Sequence, residues 1–161
     1  MIVLEYSHIN LACFTAGAQF CRVLHEKGGV IVYVQNNLKF TNIDLSEYCE
    51  EKDFEACAIK LTITSINICI ITIYRSPTCN FNYFLQNFDK VLQLLYNPAL
   101  HIIICGDINI NYLTENEQKQ VNNLLLMYNL TAIVNFPTII NNSTASAIEN
   151  FLWTYPALRI S

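Results

Sequence analysis

The sequence predicts a single mixed α/β domain, and three observations carry that expectation. Strand-length apolar runs rich in β-branched residues recur along the chain, two segments with helical spacing separate them, and no repeat, low-complexity tract or linker divides the whole. At 161 residues the chain is long enough for one domain with a real core, since a domain of this length buries roughly 70% of its unfolded surface.

In order along the chain, Gly28 and Gly29 break the backbone before Val30 to Val34, a β-branched and aromatic run that reads as a strand leaving a turn and ending at Asn36 and Asn37. A polar stretch from Thr41 to Asp53 precedes a strand from Ala56 to Thr64, a turn over Ser65 to Asn67 and a second strand from Ile68 to Tyr74. Two strands so close in sequence predict an antiparallel hairpin. From Phe81 the apolar positions fall at Phe84, Leu85, Phe88, Val91, Leu92 and Leu95, a helical period that stops at Asn97 and Pro98. His101 to Cys105 lacks alternation and reads as a strand buried on both faces. A second helix is expected to open with a capping box from Thr114 to Glu117 and to turn Val121, Leu124, Leu125 and Tyr128 inward. Short strands near Leu130 to Val134 and Ile148 to Trp153 close the pattern.

Composition narrows the function classes. Hydrophobic residues make up 53% and charged residues 14%, against about 25% charged in an ordinary soluble domain. Yet no run approaches the roughly 18 uninterrupted apolar residues of a spanning helix, so the excess is read as core and no membrane partner is expected. The N-terminus has neither the basic region nor the cleavage site of a secretory signal, so an intracellular setting is expected, nuclear or cytoplasmic. The seven cysteines are odd in number, scattered and without a CxxC pair, which argues for small core residues over a disulfide framework or a zinc site. A net charge of −4 and a pI near 5.2 leave no global basic surface for nucleic acid. An enzyme acting on phosphodiesters is still compatible, because such sites gather carboxylates around a divalent cation that meets the phosphate.

The candidate residues centre on HIIICGDININ, His101 to Asn111. Gly106 allows a tight turn after the strand, and Asp107 and Asn109 alternate, so that a carboxylate and a carboxamide face one pocket. That pairing suits a cation ligand beside a donor to a phosphate oxygen. It equally suits a turn in which both side chains cap local N–H groups, and spacing does not choose between the two. A calcium loop is excluded, because its sixth position is Tyr112 and its twelfth Gln118 where glycine and glutamate are required. Tyr74 and Arg75 end a strand just before Ser76 and Pro77; Arg75 offers a fork to a carboxylate or a phosphate and Tyr74 a phenolic donor, or the pair is a surface arginine beside a half-buried tyrosine. Glu149 opens an apolar strand, a costly place for a charge without a partner unless the strand is an exposed edge. His8, His25 and His101 share no ligand spacing and receive no role.

Taken in order, GGVIVYV, FEACAIKL, ITIYRSP, HIIICGDININ, LLLMYNLTAIVNFPT and STASAIENFLW resemble the endonuclease/exonuclease/phosphatase superfamily, above all the endonuclease domains of non-LTR retrotransposons. The resemblance runs from Cys21 to Trp153; IYRSP is similar to the family's YRPP, GDININ to its GDFN, and the segment ending in FPT to its counterpart. It implies a two-sheet α/β sandwich and a magnesium- or manganese-dependent site that hydrolyses DNA phosphodiesters by an activated water. By the same resemblance Asp107 positions or activates the nucleophile and is a possible metal ligand, Asn109 contacts the phosphate, Tyr74 stands near it with Arg75 alongside, and Glu149 takes a supporting position where the family carries aspartate.

The departures matter too. The family opens with a phosphate-side asparagine and a metal-binding glutamate, for which Glu5 is a poor match, and closes with a Ser-Asp-His motif. Neither pattern is found, so the expectation is one incomplete domain over 1–161 whose hydrolysis is weak or absent, since catalytic groups that act as a unit lose most of their rate together. The competing expectation is a non-catalytic interaction domain whose uncovered sheet edges pair with another chain or a second copy.

Overall fold

The computed structural model describes residues 11–25, 28–110, 115–133, 139–141, 144–146 and 149–154, the last three segments as backbone. Ten strands and two α-helices follow one another: β1 Phe14–Cys21, β2 Gly29–Gln35, β3 Phe40–Ile43, β4 Glu55–Ile63, β5 Ile66–Tyr74, α1 Phe81–Leu95, β6 His101–Asp107, α2 Glu115–Met127, β7 Leu130–Ala132, β8 Ile139–Asn141, β9 Thr144–Ser146 and β10 Glu149–Thr154. Six of the strands form one sheet in the order β3-β4-β5-β6-β10-β7, while β1 with β2 and β8 with β9 form separate two-stranded sheets.

The six-stranded sheet has two differently covered faces, as strand alternation dictates. On one, Ala56, Ala58, Cys69, Ile71, Ile73, Ile102 and Ile104 pack against Phe84, Phe88, Val91 and Leu92 of α1 and Val121 and Leu125 of α2. Phe54, Phe84 and Phe88 form an aromatic centre with rings 5.6–6.4 Å apart, all fully buried. On the other, Cys57, Ile59 and Leu61 meet Ala18 and Val34 of the β1–β2 hairpin. Hairpin, sheet and helices thus stack as an α/β sandwich, the fold class expected.

Several elements stand where the sequence puts them. Helix α1 fills the expected span, and Asn80 caps it by accepting from the N–H groups of Asn82 and Tyr83. β4 and β5 are antiparallel, but their turn is only Thr64 and Ser65, both at positive φ (48° and 69°), so β4 stops one residue earlier and β5 starts two residues earlier than expected. β5 and β6 are parallel, with α1 as the crossover between them.

Other expectations are corrected. β6 is not buried on both faces: Ile102 and Ile104 are buried under the helices, whereas His101, Ile103 and Cys105 are only partly covered, because the hairpin packs on β4 and β5. Only Cys57 and Cys69 are buried among seven free cysteines; burial pushes the Cys57 thiol up to about 12, and Cys13 is exposed. The Glu117 carboxylate is bound by Arg75, a tertiary partner, and Thr114 lies outside the described residues, as do Glu5, Val134 and Ile148. No sequence signal announced β1, whose small residues and bulge between Ala16 and Ala18 blur its alternation. Among the described residues no helix is long and apolar enough to cross a membrane.

Candidate active site

The candidate residues meet because of sheet register. Glu55 pairs with Tyr74, Tyr74 with Asp107, and Asp107 with Glu149, so one row of residues crosses β4, β5, β6 and β10. The row lies at the C-terminal ends of the parallel strands β5 and β6, the end of an α/β sheet at which ligands are held.

The corner after β6 is built by Gly106. Its φ is +139°, and a Cβ there would stand 1.9 Å from the carbonyl oxygen of Ile73, its neighbour on β5. Glycine is therefore required inside the strand, for close approach, and not in a turn after it as the sequence suggested. The turn falls one step later. Asp107 Oδ1 accepts from the Asn109 backbone N–H at 3.0 Å, and Asn109 takes a left-handed φ of 47°. Ile108 and Ile110 enter the core, leaving Asp107 and Asn109 partly exposed on the other side, in the alternation expected. Asp107 thus makes the local cap foreseen as one alternative, whereas the Asn109 side chain caps no N–H that is described and donates to the Arg75 carbonyl.

Arg75 ties this corner to its surroundings. Its backbone N–H donates to the Asp107 carbonyl at 2.9 Å, and its own carbonyl accepts from Asn109 Nδ2 at 2.6 Å. Its side chain, 3% exposed, gives two guanidinium donors to Glu117 at 2.9 and 3.5 Å and Nε to Cys79 Sγ at 2.8 Å, with the rings of Phe81 and Phe84 beneath the charge. Of the two forks the sequence allowed, the one to a carboxylate is made.

Two residues of the site escaped the sequence reading, Arg22 and Glu55. The guanidinium of Arg22, just past β1, lies 5.4 Å from the Tyr74 ring centre and donates from Nε to Glu55 Oε1 at 2.5 Å. Burial works against the Arg22 charge, and Glu55 together with the Tyr74 hydroxyl outweighs it, raising the pKa above the ordinary arginine value. Gly28 backs the group so closely that a Cβ would meet Arg22 Cζ at 2.2 Å. Glu55 is fully buried; Oε1 also accepts from the Lys52 N–H at 2.7 Å, while Oε2 has no hydrogen-bond partner among the described residues. A signal for Glu55 was present: it opens an apolar strand just as Glu149 does. Arg22 had none.

Hard oxygen donors at a strand end suit a hydrated magnesium ion, which takes one or two carboxylates and keeps several waters. Asp107, the last residue of β6, is a described carboxylate at that strand end which could take such an ion. Among the described residues no three His, Cys, Asp or Glu side chains gather as a metal cage.

No family model and no curated protein matches the chain. Solved structures do. The endonuclease domain of TRAS1, a telomere-specific non-LTR retrotransposon, superposes with a TM-score of 0.62 at 15% identity, over 84% of this chain and 64% of that one. An endonuclease/exonuclease/phosphatase family protein from Bacteroides thetaiotaomicron gives 0.59 at 15% identity, over 89% and 62%. TDP2 from D. rerio, complexed with single strand DNA product, gives 0.59 at 10% identity, again over 89% and 62%. The chain spans less than two-thirds of the length of each of these structures. Its fold is that of the endonuclease/exonuclease/phosphatase proteins.

Proposed function

We propose that the chain carries the catalytic corner of a metal-dependent phosphodiester hydrolase acting on DNA, of the kind a non-LTR retrotransposon uses as its endonuclease. The observation that carries this reading is the register row Glu55, Tyr74, Asp107 and Glu149 at the C-terminal ends of β5 and β6. What supports DNA as the substrate is that the same fold serves an endonuclease domain and a protein complexed with a single-stranded DNA product.

Each residue then has a task. Asp107 would hold the cation and orient the attacking water, with its strand end stitched to β5 through the Arg75 N–H. Glu149 is the neighbour of Asp107 in register and would support the same site from β10. Magnesium, when bound, polarises a phosphoryl oxygen and makes bound water more acidic. Asn109, whose Nδ2 gives one proton to the Arg75 carbonyl, has the second N–H of its carboxamide as the donor to a phosphate oxygen. The Tyr74 hydroxyl is a second donor, its ring held by the Arg22 guanidinium. Arg75 positions the corner and does not bind substrate, because its side chain is buried and already paired.

The test is nicking of supercoiled plasmid by purified chain in magnesium and in excess chelator. Nicking is expected to be slow, to need magnesium, and to fall by about two powers of ten or more in Asp107→Ala. Equal nicking by wild type and Asp107→Ala would overturn the assignment.

A further inference from the structure

The loop after β1 gathers donors that the proposed hydrolysis does not use. The backbone N–H groups of Val23 and Leu24 both donate to Glu51 Oε1, the latter at 2.8 Å, and His25 Nδ1 lies 2.7 Å from Glu51 Oε2. The backbone N–H of His25 points to the same carboxylate. Successive amides aimed at one spot form a nest, an arrangement that binds anions. Its strength shows in its present occupant: burial raises the Glu51 pKa, but the amides of Leu24 and Val23 and the His25 side chain bring it down to about 2.

Two further facts bear on what else the nest holds. Val23 is 85% and Leu24 81% exposed, so the loop itself faces solvent, while the Glu51 side chain seated on its amides is 9% exposed. And it adjoins the proposed active site, because Arg22, the residue just before it, lies over Tyr74 and pairs with Glu55. In a chain of net charge −4, backbone amides provide phosphate contacts that lysines and arginines are too few to make.

The geometry points to residues 22–25 as a phosphate-binding nest for the nucleic-acid strand next to the scissile position, with Glu51 as an internal occupant that the phosphate displaces. The choice of a nucleic-acid strand rests on the hydrolase reading above; the anion site does not. A strand phosphate matches this donor set as Glu51 does, offering two oxygens that share a negative charge to three amides and an imidazole, so Glu51 is the group it must displace.

Glu51→Gln keeps the shape of the occupant and removes its charge. Wild type and variant are titrated with inorganic phosphate and with a short single-stranded deoxyoligonucleotide, following the amide resonances of residues 23–25 by NMR. The variant should bind both ligands about tenfold tighter than wild type, with the largest shifts at these amides and the oligonucleotide binding more tightly than free phosphate. Unchanged affinity, or shifts centred elsewhere, overturns the nest; free phosphate binding as tightly as the oligonucleotide overturns the strand as its ligand. Should Glu51→Gln fail to fold, Glu51→Asp, which keeps the charge but shortens its reach, is expected to tighten phosphate binding in the same direction, and no tightening overturns the nest. The two readings fail separately: phosphate binding at residues 23–25 survives if plasmid nicking proves independent of Asp107, and Asp107-dependent nicking survives if the nest binds nothing.

Discussion

Gly106 shows how a single residue decides whether the corner exists. Its φ of +139° is strained for any side chain, and the atom a Cβ would strike, the Ile73 carbonyl oxygen, belongs to the backbone and cannot swing away. Gly106→Ala should therefore cost about 3 kcal/mol or more and lower the melting temperature by about 6–12 °C in a thermal melt. A melting temperature within about 2 °C of wild type would refute the close-approach argument. This part of the site was legible in the sequence because glycine, aspartate and asparagine in series each have a local reason to be there. Arg22 and its pairing with Glu55 were not legible: the pair spans 33 positions, and only the fold brings Arg22 over Tyr74. The charge-in-an-apolar-strand argument that singled out Glu149 applied equally to Glu55, whose burial is complete.

At the scale of elements, the Arg75–Glu117 fork joins the end of β5 to the first turns of α2. Arg75 is buried, whereas the Glu117 side chain is 41% exposed, so solvent weakens the pair from one side only. Removing the carboxylate leaves a buried guanidinium without its counter-charge, a loss of about 3–5 kcal/mol when both groups are buried and about 1–3 here. Urea denaturation of Glu117→Ala should show a lower midpoint with an unchanged slope; an unchanged midpoint would mean that the fork contributes nothing. The same contact adds a partner that the sequence reading did not foresee. Thr114 to Glu117 has the form of a capping box, yet the Glu117 carboxylate is claimed by an arginine 42 positions away, and a local pattern carries no record of such a partner. Helix α1 was legible for the opposite reason, since Phe84, Phe88, Val91, Leu92 and Leu95 follow the helical period and all face one core.

Over the whole molecule, the apolar excess of the sequence divides between core and surface. The helices fill one face of the large sheet and the hairpin covers β4 and β5 on the other, but Leu126, Met127 and Ile133 are 49–74% exposed, so not all of the excess is core as expected. The sheets also present edges. Among the described residues, β2 pairs only with β1, and it offers seven residues of strand, whereas β3 and β7, at the edges of the large sheet, are four and three residues long. β1 carries a bulge, a device that spoils an edge for pairing, and short strands do the same. The edge of β2 is thus the one best suited to receive another strand, and the interaction-domain alternative takes a definite form: two copies joined through β2. Size-exclusion chromatography with light scattering should show a dimer whose share grows with concentration. Substituting lysine at both Leu126 and Met127 should leave that dimer intact, because the contact is made by backbone hydrogen bonds at the other sheet and not by the apolar patch on α2. A monomer at every concentration would refute edge pairing, and a dimer abolished by the double substitution would transfer the contact to α2.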